Sequence, residues 1–107
     1  MQNEMLTVIE TPTFLRTAKA FWSDEVIAEF VEYISQNPLA GDVVRRTKSL
    51  RKVRWARDGM GKSGGARVIY FVRTDAGEVV LVMAYAKGDV ESLPTSFLNR
   101  LKELYDV

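Results

Sequence analysis

The feature that most constrains the fold is the segment of residues 78–87, in which both alternating sets of side chains are apolar. One set is Val79, Leu81, Met83 and Tyr85, and the other is Val80, Val82, Ala84 and Ala86. Successive side chains of a β-strand point to opposite sides of the sheet, so a strand of this kind needs cover on both sides. We therefore expect residues 78–87 to form a central strand, covered by other layers of the chain or by a partner.

Three further strands are predicted. Residues 50–57 and 65–74 are typical of strands, and a hairpin turn at residues 74–77 (Thr-Asp-Ala-Gly) joins the second of them to the strand that follows. Residues 6–10 are rich in β-branched side chains and stop at a Thr-Pro pair, which suits a short first strand. The sheet should therefore have four strands and be mostly antiparallel.

Three helices are predicted, each with a recognisable start. Thr11 and Pro12 suit the N-cap and the first position of one helix, and Ser23 suits the N-cap of a second, which has two acids in its first turn. The second helix should end before Pro38, because a residue that precedes proline is disfavoured in the α conformation. Pro94 opens a C-terminal helix with one apolar face.

The order of these elements predicts an α+β fold of a single domain. Two N-terminal helices should pack on the mostly antiparallel four-stranded sheet, and the C-terminal helix should follow it. Residues 38–49, between the second helix and the second strand, are predicted to be a loop. A length of 107 residues suits one hydrophobic core, so the domain is expected to span residues 1–107.

Two residue types are missing from the chain, and their absence limits its chemistry. Without cysteine there is neither a disulfide nor a thiolate zinc site, and without histidine the commonest metal ligand and general base are also lacking. We expect no metal and no cofactor. The N-terminus carries Glu4 and Glu10 without an apolar run, and no stretch approaches the length of a membrane span, so a cytoplasmic protein is expected.

The positive charges are concentrated between residues 45 and 73. This segment holds ten of the fifteen Lys and Arg residues but only one of the fourteen acids, Asp58, so its formal charge is +9 while the remainder carries −8. The net charge of +1 conceals this asymmetry. A surface of this kind favours a polyanionic partner, and we expect the phosphates of a nucleic acid.

Strand alternation separates the cations from the core. Lys52 and Arg54 should point to one face of their strand, and Val53 and Trp55 to the other, so the first pair is displayed and the second buried. Arg67 lies in a mostly apolar strand, where a charged side chain is costly unless a ligand or partner satisfies it. Arg67 is therefore the cation that solvation explains least.

The glycine-rich loop at residues 59–65 matches two nucleotide-binding motifs by letter. Residues 59–64 fit G-x-G-x-x-G, and residues 61–63 resemble the end of a P-loop. Both motifs must open a helix that holds phosphate, whereas this loop leads into a strand. Two interpretations remain open: a flexible hairpin loop, or glycines that let the backbone approach a nucleic acid while Lys62 contacts a phosphate. The second is favoured by the cations that flank the loop.

Four segments carry a resemblance to a known family. They are residues 41–44 (GDVV), 50–57 (LRKVRWAR), 61–70 (GKSGGARVIY) and 85–87 (YAK). With them the chain resembles the RelE/ParE superfamily of toxins from bacterial type II toxin–antitoxin systems, and its HigB-like branch most. The resemblance spans roughly residues 6 to 105. It implies a small RelE-like α+β domain that acts as a ribosome-dependent mRNA endoribonuclease, and a cognate antitoxin, commonly of the helix-turn-helix type, as partner.

The resemblance also implies a set of site residues. The catalytic group by matching positions is Lys52, Arg54, Arg67 and Lys87. Further RNA or phosphate contacts are expected from Arg45, Arg46, Lys48, Arg57, Lys62 and Tyr70. The first three of these can equally be solubilising charges, and packing is the favoured role of the tyrosine, although its hydroxyl can reach the site.

Self-cleavage of RNA by its 2′-hydroxyl assigns roles to these groups. The reaction needs that oxygen deprotonated, the phosphorane charge stabilised and the leaving 5′-oxygen protonated. Arginine stays protonated and suits only charge stabilisation, the role expected of Arg54 and Arg67. A lysine crowded by other cations can exchange a proton near neutral pH. We therefore expect Lys52 to activate the 2′-hydroxyl, and Lys87 to protonate the leaving group or position the phosphate, with residues 89 and 91, Asp and Glu, as alternative bases.

Two functions from other classes remain as alternatives. The ParE branch shares the fold but inhibits DNA gyrase, and a non-catalytic nucleic-acid-binding module would need only the basic surface. Clustered cations on the strands favour the ribonuclease. Replacement of Arg67 by alanine distinguishes an enzyme from a binder. An enzyme should lose cleavage and keep most of its ribosome affinity, whereas a binder should lose only a share of its salt-dependent affinity.

Overall fold

A computed structural model describes residues 6–47, 49–56, 65–86 and 93–106. Within these ranges the chain forms five strands and three helices in the order β1 (Thr7–Glu10), α1 (Pro12–Ala18), α2 (Asp24–Gln36), β2 (Asp42–Val43), β3 (Arg51–Trp55), β4 (Ala66–Arg73), β5 (Glu78–Ala86) and α3 (Thr95–Tyr105). None of the helices in this part of the chain has the length and apolarity to cross a bilayer.

The five strands form one sheet in the order β1-β5-β4-β3-β2. The β1–β5 pair is parallel and the other three pairs are antiparallel, so the mostly antiparallel α+β architecture is confirmed. The strand count of four was wrong, because β2 lies in the segment 38–49 that was predicted to be a loop. Its two residues are exposed and too few for a periodic pattern. They are a strand only because they pair with β3, which is a tertiary property.

Strand β5 is central and buried on both sides, as its composition predicted. One side packs against α1 and α2 in a cluster built around Phe14 and Phe30, and the other packs against α3 through Leu98. Cover on both sides therefore comes from helices of the chain itself.

A β-bulge changes which β5 side chains share a face. Ile69 pairs with Met83, but the next residue of β4, Tyr70, pairs with Leu81, so Val82 is the extra residue. Val82 and Met83 consequently both lie on the α3 side, as does Tyr85, whereas Leu81 packs toward α1 and α2. The strict alternation expected along β5 was wrong beyond this point.

The first two helices begin where their capping residues predicted. The Thr11 hydroxyl accepts a hydrogen bond from the Phe14 amide at 3.1 Å, and the Ser23 hydroxyl accepts one from the Val26 amide at 3.2 Å. Thr11 also donates to the Leu81 carbonyl at 2.7 Å, which fastens the start of α1 to the central strand.

Aromatic side chains form the centre of the helix-side core. Phe30 lies 5.9 Å from Trp22 and 5.6 Å from Trp55 between ring centroids, and the two tryptophans lie 5.4 Å apart in an edge-on arrangement. Trp22 is only 4% exposed. Trp22 is therefore a core residue, and the half-buried Trp55 packs against the same core.

Candidate phosphate-binding cleft

The register of the sheet brings three of the predicted site residues together. Arg54 on β3 lies directly opposite Arg67 on β4, and Lys52 lies two residues along β3 on the same face. All three line an open cleft of about 430 Å³ at the β2–β3 edge of the sheet. The other described residues of its wall are Tyr33, Ala40, Asp42 and Val53.

The exposure of these side chains follows the predicted alternation. Lys52 and Arg54 are exposed, and Val53 between them is 4% exposed and belongs to the core on the opposite face. Arg67 is half-buried within an otherwise buried stretch of β4. The displayed pair of β3 is thus confirmed, and of the pair predicted to be buried, Val53 is buried while Trp55 is half-buried.

The positive charges of Arg54 and Arg67 repel each other across the β3–β4 pair. Like charges directly opposite each other on neighbouring strands are destabilising. Among the described residues, no acid forms an ion pair with Arg54 or Arg67. Arg73, the other arginine of β4, contrasts with them, because it contacts Glu78 at 3.4 Å and Asp106 at 3.2 Å. An anion between Arg54 and Arg67 would remove the repulsion.

Replacing Arg54 with glutamine is expected to stabilise the fold. The substitution removes one member of the like-charge pair, and the free energy of unfolding in low salt should rise by about 0.2–1 kcal/mol. Urea denaturation measures this, and added salt should shrink the difference by screening the exposed charges. The matched variant Arg100→Gln changes an exposed arginine in the middle of α3 and should leave stability unchanged within error. A less stable Arg54→Gln would show that the arginine supports the fold.

Tyr70 does not line this cleft, and its burial supports packing, the role favoured for it from the sequence. It shares the face of β4 that carries Val68 and packs toward α1 and α2, where it is 0% exposed. Its hydroxyl donates to the Pro38 carbonyl at 2.8 Å and accepts from the Gly41 amide at 2.9 Å. Burial raises the pKa of Tyr70, against the Gly41 hydrogen bond and the charge of Arg51, which lower it. The neutral phenol therefore holds the backbone that leads into β2.

Gly41 lets that backbone approach β3 closely. A Cβ at this position would lie 2.8 Å from the Lys52 carbonyl oxygen and 3.0 Å from Cε1 of Tyr70. Arg51 fastens the same point, since its Nη1 donates to the Gly41 carbonyl at 2.6 Å. The strand that carries Lys52 and the chain that enters β2 are thus in contact, and together they form one wall of the cleft.

Substituting Gly41 with alanine is expected to destabilise the protein by about 1–3 kcal/mol, because backbone atoms must shift to admit the methyl group. The change should appear as a lower denaturation midpoint. Gly77→Asn is the comparison: this turn glycine has a φ of +67° and open space around its Cβ, and asparagine tolerates that conformation. An equal loss in both variants would mean that the close approach to β3 is not the cause.

The remaining predicted site residues lie elsewhere or outside the described ranges. Arg45 and Arg46 are exposed in the turn after β2 and do not line the cleft, and Asn99 of α3 donates to the Arg46 carbonyl at 3.0 Å. Four predicted cations fall outside the described residues, namely Lys48, Arg57, Lys62 and Lys87. The same holds for Asp89 and Glu91 and for the glycine motif of residues 59–64.

Three side chains near the cations were missed by the sequence analysis. Asp42 and Tyr33 line the cleft, and Tyr85 lies directly opposite Arg67 on β5. Burial raises the pKa of Tyr85, while the charge of Arg67 lowers it. Asp42 stood in a segment predicted to be a loop and Tyr33 in a helix, so no local pattern connected either with the basic strands.

A larger groove of about 670 Å³ lies apart from these cations. Its walls are β1, α1 and α2, with Leu6, Val8 and Ile27 among its apolar residues. Lys19 is the only base among the described residues that line it. The larger of the two spaces is therefore not the one that gathers the predicted site cations, which line the cleft at the opposite edge of the sheet.

The fold is similar to that of solved toxin structures, although no protein-family model matches the chain. A free-state structure of E. coli RelE, with two arginines replaced by alanine, matches with a TM-score of 0.61 and 14% identity, over 94% of this chain and 98% of that one. The toxin–antitoxin complex RelBE2 from Mycobacterium tuberculosis matches with a TM-score of 0.59 and 21% identity, over 78% of this chain and 99% of the matched chain. This chain has the RelE fold.

The side chains that line the cleft of this RelE fold have donors and charges that suit a phosphodiester. Arginine presents several fixed N–H donors that suit phosphate oxygens, and two arginines face each other across β3 and β4. Lys52 adds a further positive charge two residues along β3 from Arg54. Such a group can bind RNA and can also stabilise the extra negative charge of a phosphorane.

Proposed function

We propose that this chain is the toxin of a toxin–antitoxin pair and that it cleaves mRNA on the ribosome. The observation that supports it most is the Arg54–Arg67 pair with Lys52 beside it, displayed in an open cleft of a RelE fold. Opposed like charges cost stability, so their presence is best explained by a polyanion that bridges them. The RelE/ParE superfamily, and its HigB-like branch, are the family that we propose.

The proposed reaction is attack of the RNA 2′-oxygen on the adjacent phosphorus. The new P–O bond forms as the bond to the 5′-oxygen breaks, which leaves a 2′,3′-cyclic phosphate and a 5′-hydroxyl. Arg54 and Arg67 donate to the non-bridging oxygens, whose charge grows in the phosphorane. Lys52 supports the same charge, and Lys87, outside the described residues, remains the proposed proton donor to the leaving oxygen.

The shape and composition of the cleft support dependence on the ribosome. As far as the described residues form it, the cleft is open, and the chain has no histidine for general acid–base catalysis. Precise alignment of the 2′-hydroxyl with the phosphate can lower such a barrier by several kcal/mol. We propose that the ribosome supplies this alignment, which implies a cytoplasmic site of action.

We also propose a cognate antitoxin as partner. One structural neighbour is described as a toxin–antitoxin complex. By the sequence resemblance, the antitoxin should be of the helix-turn-helix type. The two proteins should form a stable complex on co-expression, and complex formation should restore growth to cells that express the toxin.

Expression in cells with parallel RNA and DNA readouts tests the proposed function. Induction should stop growth, create new 5′-hydroxyl ends within translated mRNA, and leave plasmid supercoiling unchanged. Loss of negative supercoiling with intact mRNA would support the ParE-like gyrase inhibitor instead. Growth arrest with neither change would favour a non-catalytic nucleic-acid-binding module.

A further inference from the structure

The basic cleft contains one carboxylate among its described residues. Asp42 lies on β2 directly opposite Lys52, and residues directly opposite on neighbouring strands project to the same face. Its side chain is exposed and lines the same space as Arg54 and Arg67. A group of opposite sign therefore stands within the phosphate-binding surface.

The groups that face Asp42 are mostly cations. They come from three elements: Lys52 and Arg54 on β3, Arg67 on β4, and Tyr33 on α2. The charge of Asp42 also acts on the buried Tyr70 hydroxyl, which lies on the other side of the sheet. Even so, within the described part of the chain the Asp42 carboxylate makes neither an ion pair nor a hydrogen bond. Its oxygens are free to accept a hydrogen bond from a bound molecule.

A carboxylate is unfavourable in a cleft whose only role is to bind phosphate. It repels the phosphodiester and partly cancels the attraction of the cations. Neither arginine can accept a proton, and Lys52 must first lose one. Among the described residues of the cleft, Asp42 is therefore the side chain that can accept a proton directly.

The spacing of the sheet suits proton abstraction next to the arginine pair. Directly opposite residues have Cβ atoms about 4.5–5.5 Å apart, and diagonal neighbours such as Asp42 and Arg54 lie about 7–8 Å apart. The 2′-oxygen of RNA lies beside the phosphorus that it attacks. A phosphate held by Arg54 and Arg67 thus brings its 2′-hydroxyl within reach of the Asp42 side chain.

We propose that Asp42 is the general base of the cleavage reaction, an inference that rests on the proposed ribonuclease function. Its carboxylate takes the proton of the 2′-hydroxyl as that oxygen forms its bond to phosphorus. The bond to the 5′-oxygen breaks, and this oxygen takes a proton from water. Lys52 then stays protonated and serves as a charge clamp beside Asp42, rather than as the base that the sequence analysis expected.

The test is single-turnover cleavage of ribosome-bound mRNA, with saturating protein, across about pH 6 to 8.5. Asp42→Asn should slow cleavage by about 100- to 10,000-fold while affinity for ribosome-bound mRNA is kept or increased. Its residual rate should rise tenfold per pH unit, because hydroxide replaces the missing base, whereas the wild-type rate should be nearly flat. Asp42→Glu should recover part of the rate at unchanged cut sites.

Asp75→Asn is the matched control, since it removes the same charge from the exposed β4–β5 turn and should cleave like the wild type. The inference is wrong if Asp42→Asn cleaves at the wild-type rate, cleaves equally fast at different sites, or loses rate with the pH profile unchanged. Cleavage by the wild type in the same assay keeps the proposed function standing in those cases. No cleavage by the wild type would overturn both.

Discussion

Replacing Arg67 with alanine is expected to slow cleavage of ribosome-bound mRNA by about 100- to 1,000-fold at saturating protein. The estimate comes from the loss of one preorganised donor to an oxyanion in a reaction of this kind. Arg67 is the half-buried member of the opposed pair, so its guanidinium is held more firmly than that of Arg54. Most of the loss should therefore appear in the rate of the chemical step, as single-turnover kinetics will show.

Two further variants define what the loss at Arg67 means. Arg67→Lys keeps the charge but not the fixed donor geometry, so it should recover only a minor part of the rate. Arg16→Ala removes an exposed arginine from the helix side of the sheet and should cleave normally. If Arg67→Ala lost affinity for the ribosome in proportion to its rate, Arg67 would be a binding residue rather than a catalytic one.

Replacing Phe30 with alanine is expected to cost about 3–5 kcal/mol of unfolding free energy. Phe30 is fully buried and its ring contacts four other aromatic side chains, those of Phe14, Trp22, Tyr33 and Trp55. The cavity would lie where α2 meets the sheet, behind the strand that carries Lys52 and Arg54. The total free energy of unfolding of such a domain is about 5–15 kcal/mol, so the variant should be marginally stable.

Urea denaturation followed by tryptophan fluorescence measures this effect, because both tryptophans pack against Phe30. Leu39→Ala is the comparison, since Leu39 is 65% exposed and should change stability by less than about 0.5 kcal/mol. A cost below about 1 kcal/mol for Phe30→Ala would mean that the aromatic cluster does not hold α2 on the sheet.

Features with local causes were predicted well from the sequence. Thr11 and Ser23 start their helices through hydrogen bonds to amides three residues ahead, so their effect is visible in a short stretch of chain. The central position of β5 followed from its apolar composition alone. The exposure of Lys52 and Arg54 followed from the alternation of one strand, which depends on nothing outside it.

Features that depend on pairing between distant segments were not predicted. The two-residue strand β2 exists because β3 provides its partner, and the β5 bulge depends on the register against β4. The hydrogen bonds that engage the Tyr70 hydroxyl also depend on distant partners, since they come from Pro38 and Gly41 in the segment predicted to be a loop. Asp42 and Tyr33 join the cleft only through the same tertiary arrangement.

The opposed arginines, Arg54 and Arg67, were predicted in part: their identity as site residues was predicted from the sequence, but their pairing was not. Arg54 and Arg67 were both selected as site residues from their strands and from the family resemblance. Their direct opposition, however, follows from a register that neither strand encodes alone. The repulsion between these two arginines, which best supports a phosphate ligand, therefore could not be predicted from the sequence.

The most direct test of the proposed function is primer extension on a defined mRNA in a reconstituted translation system, with ribosomes and without them. The account predicts cuts by the wild-type protein that appear only when ribosomes are present. Intact mRNA under both conditions, from a protein that still arrests growth, would contradict it.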